Sequence, residues 1–161
     1  MFVAGDKVFY PFHGAGQIKG LEERDFLGEK REYFIIHFPL TDTTIMVPIN
    51  NTEQLGLRYL SSEKDIKKCF EIISKEASEL EEDWKIRYKK HQDMLKSGRI
   101  LEIAEVIRNL FDRNRIKELS STEKKLYNNA IDMLISEIAL SVDKDKESVR
   151  AEMVKLLESR A

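Results

Sequence analysis

The sequence is poor in cysteine, proline and glycine: its 161 residues include one cysteine, three prolines and seven glycines. The lone Cys69 has no partner for an internal disulfide, which fits a reducing cytoplasm, and we interpret it as a buried helical thiol rather than a nucleophile. No apolar run approaches the roughly 20 residues of a membrane-spanning helix. The first residues lack the basic segment, apolar block and cleavage site of a secretory signal. We therefore expect a cytoplasmic protein without membrane contact.

A large excess of charge of one sign is also missing, since the formal net charge is −2. The positive charges are nevertheless concentrated, because residues 84–117 carry ten Lys or Arg side chains against four Asp or Glu. A local basic field attracts phosphate even where the whole molecule is slightly acidic. This segment is therefore the part of the chain in which a nucleic-acid contact is expected.

The first sixty residues show the short apolar runs of β-strands. The runs are rich in β-branched and aromatic residues and end at Gly, Pro, Asp or charged clusters; they are Val8–Tyr10, Gln17–Leu21, Tyr33–Phe38 and Thr43–Val47. Gly28 predicts a hairpin between the second and third runs, and Pro39 with Asp42 predicts a turn before the fourth. Four or five short antiparallel strands in this length predict a small, curved barrel of the Tudor or SH3 type.

From Ser61 onward the apolar period is that of helices. Five helices are predicted, in residues 61–75, 84–96 and 100–117, after a capping box at Ser120 to Glu123, and in residues 143–159. The sequence therefore predicts an α+β, multi-domain chain. A β module at residues 1–60 is followed by an all-α domain of about five helices at residues 61–161.

His13, in the stretch "GDKVFYPFHGAGQI", is a candidate general base or ligand, but we interpret this stretch as a strand, a proline stop and a glycine turn. His37 and His91 show no metal-ligand spacing with it, and no nucleophile elbow is present. "HGAG" lacks the Lys-Ser/Thr of a phosphate loop and the third glycine of a dinucleotide fingerprint. We expect no enzyme, no metal and no cofactor; a His13 beside a carboxylate in a pocket would favour the enzyme alternative.

Trp84 is the single tryptophan, and it opens the basic stretch "WKIRYKKHQDMLKSGR". On a helix it shares one face with Tyr88, His91 and Leu95, which is the pattern of a core residue. The functional alternative is an exposed ring that wedges against a base step while cations hold phosphates. The cations nearest in sequence are Lys85, Arg87, Lys89 and Lys90, and the field extends to Lys96, Arg99, Arg108, Arg113 and Arg115.

Nearly the whole chain resembles one family. "GDKVFYPFHGAGQI", "LEERDFLGEKREYFII", "MVPINN" and "LGLR" resemble the N-terminal module of CarD-like transcription regulators. "WKIRYKKHQDMLKSGRILEIAEVIRNL" and "LSSTEKKLYNNAIDMLISEIAL" resemble the helical domain of the same proteins. The N-terminal module is also similar to the RNA-polymerase-interacting module of the transcription-repair coupling factor, which lacks this helical partner.

The resemblance implies that the β module binds the β subunit of bacterial RNA polymerase. It implies that the helical domain contacts promoter DNA at the upstream edge of the transcription bubble, with a tryptophan in the minor groove. The implied effect is a change, usually a stabilisation, of the open promoter complex, without catalysis or metal. A monomer associated with the nucleoid through polymerase is expected.

Carried over to this sequence, the wedge falls on Trp84 and its phosphate contacts on Arg87 and Lys89, with Lys85 and Lys90 added on charge. The polymerase-contacting set comprises Arg24, Phe26, Ile45 and Met46. Met46 stands where the family has an arginine, and with Ile45 it offers an apolar contact instead. Ile86 likewise replaces a basic residue of the family.

One alternative remains open at this level. The β module would bind polymerase or another partner, and the helical half would only pack or dimerise, so that the chain is an adaptor without DNA contact. A buried Trp84 without a basic surface would favour the adaptor, and an exposed Trp84 beside free cations would favour the DNA-binding regulator.

Overall fold

The structure of the protein is a computed structural model that describes residues 1–77 and 79–160. Its strands are β1 (Lys7–Tyr10), β2 (Gly14–Phe26), β3 (Glu29–Phe38), β4 (Thr43–Pro48) and β5 (Arg58–Tyr59). Its helices are α1 (Thr52–Leu55), α2 (Glu63–Ile73), α3 (Trp84–Ser97), α4 (Ile100–Ile116), α5 (Ser121–Val142) and α6 (Lys146–Glu158). A β module is thus followed by helices, which confirms the predicted fold class. No helix in the described ranges has the length and apolar character needed to cross a membrane.

The five strands form one antiparallel sheet in the order β4-β3-β2-β1-β5. The expected barrel is therefore an open sheet, because no described residue of β4 pairs with β5. The short length of β5 explains this difference. Its two residues pair only with β1, in the register Val8↔Tyr59 and Phe9↔Arg58, and leave nothing to bridge to the opposite edge.

The hairpin between β2 and β3 turns at Leu27 and Gly28, as the sequence predicted. Both residues have positive φ, 52° and 83°, which is the backbone of a two-residue type I′ turn and explains the glycine. β2 is longer than predicted and runs from Gly14 to Phe26. Its second half is exposed on both faces, so the apolar pattern of the sequence underestimated its length.

The helical module contains α2 to α6, five helices as predicted. Its fully buried side chains include Leu95, Ile103, Ile107, Leu110, Met133, Leu134 and Ile135. The side chain of Ser120 caps α5 by accepting a hydrogen bond from the backbone N–H of Glu123. Cys69 is buried at the contact of α2 with Ile100, and burial raises the pKa of its thiol to about 12.

The two modules are packed against each other at β1. Val8 belongs to the core of the sheet, whereas its neighbour Phe9 is buried in the core of the helices, because successive side chains of a strand point to opposite faces. Full burial of a phenylalanine side chain stabilises a fold by roughly 2 kcal/mol. The backbone N–H of Ala15 also donates to Ser136 Oγ of α5 at 3.0 Å. The division at residue 60 stays a prediction, and extensive contacts cross it.

Candidate functional site

Trp84 is the first residue of α3, and its side chain is 48% exposed. Asp83 caps the helix, because its carboxylate accepts hydrogen bonds from the backbone N–H groups of Lys85 and Ile86. Ile86, two residues further along the helix, is also exposed, at 55%. The sole tryptophan therefore presents about half of its surface at a helix N-terminus instead of filling the core.

Three of the four predicted phosphate-contacting cations lie on the exposed surface of α3, the helix that begins with Trp84. Lys85, Lys89 and Lys90 are all exposed. Lys89 pairs with Asp93 at 3.0 Å within the helix, but exposed pairs of this kind contribute only about 0.3–0.5 kcal/mol and exchange easily. Lys85 and Lys90 form no ion pair with any residue in the described part of the chain. Their charges are available to a phosphate.

Arg87 corrects the sequence-based assignment, since its side chain lies inside the protein. It is 3% exposed and donates to both carboxylate oxygens of Glu123, at 2.8 Å and 2.6 Å. Its Nη1 donates to the backbone carbonyls of Glu81 and Glu82, at 2.7 Å and 3.1 Å. The hydrogen bond with Glu123 raises the pKa of the Arg87 guanidinium. A guanidinium held in this way has no face to offer to a DNA phosphate.

The buried face of α3 contains His91 and Leu95, as the sequence suggested, but it also contains Arg87 and leaves out Trp84. Arg87, His91 and Leu95 are buried at steps of four, whereas Trp84 lies outside. The Nε2 of His91 lies 3.1 Å from the side-chain amide nitrogen of Asn109. Burial lowers the pKa of His91 to about 4, so the ring is neutral at physiological pH. His91 belongs to the packing of α3 on α4 and not to the exposed surface.

A cavity of about 380 Å³ lies behind the indole, between α3 and the connection from α4 to α5. Trp84, Arg113 and Lys117 line it together with the buried Arg87–Glu123 pair. Lys117 is a cation near Trp84 that the sequence analysis did not single out, although it lies inside the basic segment 84–117. Only the fold brings it next to a residue 33 positions earlier in the sequence.

The predicted polymerase-contacting residues divide between the two faces of the sheet. The register pairs Arg24 with Arg31, Phe26 with Glu29 and Met46 with Ile35. Because side chains alternate along a strand, Arg24, Phe26 and Met46 lie on the face opposite the core of the sheet, which we call the outer face. Ile45 pairs with the buried Ile36 and packs against the core of the sheet. Ile45 therefore does not share a surface with Met46, which corrects the expectation of a joint apolar contact.

The exposed end of the β2–β3 hairpin carries both charge and apolar area. Arg24 forms an ion pair with Glu22 at 2.7 Å, and both side chains are largely exposed, so the pair can be exchanged for another partner. Phe26 is 49% exposed, with the guanidinium of Arg31 4.8 Å from its ring centroid. Leu27, which the sequence analysis did not single out, is 90% exposed at the turn. An apolar hairpin tip flanked by arginines is typical of a protein-binding surface.

His13 lies in the turn between β1 and β2. Its backbone N–H donates to the carbonyl of Tyr10, and its ring is stacked on the Tyr10 ring with centroids 5.2 Å apart. Burial lowers the pKa of His13, and no carboxylate of the described residues is hydrogen-bonded to its ring. No group of three or more His, Cys, Asp or Glu side chains in the described ranges is arranged to hold a metal ion.

Comparison with known proteins assigns a class to each module. Residues 2–61 match the family model described as the CarD-like/TRCF RID domain. Residues 68–154 match the model of the CarD C-terminal domain. A module of the RNA-polymerase-interacting type followed by this helical domain defines a transcription regulator.

The chain belongs to the CarD family. It is similar to a Bacillus subtilis (strain 168) protein named "Putative transcription factor YdeB". The two are 38% identical over 138 residues, which cover 86% of this chain and 90% of the relative.

Proposed function

We propose that this regulator binds the β subunit of bacterial RNA polymerase through its sheet and promoter DNA through α3. Trp84 enters the minor groove at the upstream edge of the transcription bubble, and the lifetime of the open complex changes, usually by becoming longer. The protein acts by binding and catalyses no reaction. It works as a monomer and joins the nucleoid through polymerase.

The observation that carries the proposal is the half-exposed indole at the N-terminus of α3, flanked by exposed Lys85, Lys89 and Lys90. The cations hold phosphates of the DNA while the ring enters the groove. Insertion of an aromatic ring opposes an unstacking cost of roughly a few kcal/mol with new contact area. That exchange is most favourable where the duplex is already distorted, as at the edge of melted DNA.

Docking on polymerase compensates for weak DNA binding. Once the sheet is bound, α3 is present near the promoter at a high effective concentration, so a small set of cations and one aromatic ring suffices. Trp84 shifts the equilibrium toward the open complex by the difference between its affinities for the open and the closed DNA. The outer face of the sheet supports the docking step, because Arg24, Phe26 and Met46 lie on it together.

The test is the half-life of the open complex, measured with purified polymerase and a promoter fragment. Trp84→Ala is expected to return the half-life to its value without the protein while binding to polymerase is kept. Val154→Ala is the matched control, because Val154 is an exposed apolar residue of α6, at 43%, away from α3. An unchanged half-life with Trp84→Ala would contradict the wedge, and retained polymerase binding would then identify an adaptor.

A further inference from the structure

Arg87 connects three parts of the helical module through one buried guanidinium. It lies on α3, grips the carboxylate of Glu123 on α5 with two bonds, and donates to two carbonyls of the segment that precedes α3. The carbonyls belong to Glu81 and Glu82, which come directly before the helix cap Asp83 and Trp84. The bonds of Arg87 therefore hold the chain at the point where the indole emerges.

The position of Glu123 in α5 supports the same conclusion. As the third residue of α5, counted from the cap Ser120, a glutamate would ordinarily bond back to the backbone N–H of the cap residue. Here the carboxylate turns to Arg87, and only the other half of the capping box, from the Glu123 N–H to Ser120 Oγ, forms. The Glu123 carboxylate thus bonds to α3, the helix that carries Trp84, instead of to the backbone N–H of Ser120.

We propose that Arg87 is a positioning residue, which together with Glu123 fixes the orientation of Trp84 instead of contacting DNA itself. The inference rests on the proposed function, since it describes how the DNA-contacting residue is held. Trp84, Arg87 and Glu123 line the same cavity, so the ion pair and the indole border one space. A ring held in its bound orientation loses little conformational freedom on insertion, which increases affinity without any new contact.

Buried ion pairs often add little to stability compared with apolar residues of the same size. Stability alone therefore does not explain why Arg87 and Glu123 are paired here. Geometry is a stronger reason. A guanidinium binds two carboxylate oxygens and two carbonyls at the same time, because its donors form a planar fork. Arg87 makes these bonds from three different nitrogens, whereas a lysine would carry all its donors on one nitrogen and could not reach the same separated acceptors.

The fluorescence of Trp84 provides a direct readout, because it is the only tryptophan of the chain. The variants are Arg87→Lys and Glu123→Gln, and the matched control is Arg58→Lys. Arg58 forms the second Arg–Glu pair with a fully buried carboxylate, at 2.7 Å to Glu137, and lies in β5 instead of near the indole. Acrylamide quenching reports the exposure of the indole. Affinity for a duplex with a short mismatched bubble is measured over a series of salt concentrations, at a temperature where circular dichroism shows all variants folded.

Positioning and direct contact predict opposite results. If Arg87 positions Trp84, Arg87→Lys and Glu123→Gln both increase quenching and lower the DNA affinity by roughly tenfold, with an unchanged salt slope. Arg58→Lys leaves quenching and DNA affinity unchanged. If Arg87 instead contacts a phosphate, Arg87→Lys keeps the positive charge and leaves quenching unchanged, and Glu123→Gln frees the charge of the arginine and strengthens binding. Either of these results overturns the proposal.

Two further results also decide the matter. Equal changes in quenching for Arg58→Lys and Arg87→Lys would reduce the role of Arg87 to general stability and overturn the inference. Should Arg87→Lys fail to fold, Glu123→Gln carries the test alone, because it preserves the shape of the side chain and the cap of α5. Trp84→Ala in the same DNA assay tests the proposed function separately: unchanged affinity there refutes the wedge, while the quenching data still report whether Arg87 holds the indole.

Discussion

Arg58 and Glu137 form a two-pronged ion pair across the boundary between the modules, with N–O distances of 2.7 Å and 2.8 Å. Glu137 is fully buried in α5, and its carboxylate also accepts the backbone N–H of Ser61. Arg58 in addition donates to the carbonyl of Gly98 and lies 4.3 Å from the ring centroid of Phe9. One side chain of β5 thus binds the end of α3, the middle of α5 and the ring that enters the helical core.

We expect Arg58→Ala to lower the free energy of unfolding by about 3–5 kcal/mol, because it leaves the Glu137 carboxylate buried without its cation. Urea denaturation followed by circular dichroism and by Trp84 fluorescence measures the loss, and one transition is expected for both modules. Arg58→Met combined with Glu137→Leu removes both charges and recovers most of the stability. A loss below about 1 kcal/mol for Arg58→Ala, the range of exposed pairs, would contradict this account.

The salt dependence of DNA binding tests the free cations of α3. Lys85→Gln and Lys90→Gln are each expected to lower the slope of log K against log salt by about 1, because each removes one phosphate contact. Lys89→Gln is expected to change the slope less, since Lys89 already pairs with Asp93. Lys155→Gln, on the exposed side of α6, serves as the control. Equal slopes for all four variants would rule out these lysines as phosphate contacts.

Binding to the polymerase β subunit tests the outer face of the sheet. Arg24→Glu is expected to weaken binding at least tenfold by reversing a charge on that face. Met46→Arg is expected to strengthen it, because Met46 lies on the same face and the substitution adds another positive charge to it. The affinity of each variant for β subunit immobilised on a sensor surface is measured by surface plasmon resonance.

Ile45→Ala is the control for this face. It is expected to lower stability rather than specific affinity, because Ile45 packs against the core of the sheet. Stronger impairment of polymerase binding by Ile45→Ala than by Arg24→Glu, in folded protein, would place the contact on the opposite face.

Stability is expected to fall between pH 6.5 and pH 4 because of His91. Burial lowers its pKa from 6.5 to about 4, and the charges of Arg87 and Lys90 act in the same direction against that of Glu123. As the pH falls below about 6.5, His91 is protonated in the unfolded chain but stays neutral in the folded protein, so the free energy of unfolding decreases. The loss reaches about 2 kcal/mol by pH 5.

The measurement is urea denaturation at a series of pH values, compared with His91→Asn. The variant should show a flatter profile above pH 5, where few carboxylates titrate. Some slope remains, because burial lowers the pKa of His13 as well. Parallel profiles for the two proteins would exclude His91 as the cause.

The sequence was sufficient for the order of β1 to β4 and of α2 to α6 because local signals determine them, whereas the four-residue helix α1 was not predicted. Gly28 gave the hairpin turn and Ser120 gave the start of α5, and each depends on a few neighbouring residues. The family motifs added the class of protein. Closure of the barrel could not be read in this way, because it depends on whether β5 reaches β4, and the short length of β5 appears only in the packed chain.

The candidate site was predicted in part for the same reason. Trp84 and the lysines of α3 were found from one stretch of sequence, and their exposure depends only on which side of α3 packs. The burial of Arg87 depends on Glu123, which lies 36 positions away. A periodicity that counts arginine as polar assigns such a residue to the surface, and only the folded structure reveals its buried partner.

Val8 and Phe9 are adjacent in β1 but are buried in different cores. A rotation of one module against the other would remove the Phe9 ring from the helical core. The distance between the outer face of the sheet and the indole of Trp84 is therefore fixed by the fold. If polymerase holds the sheet and Trp84 enters DNA as proposed, the ring would contact a single base step of the promoter.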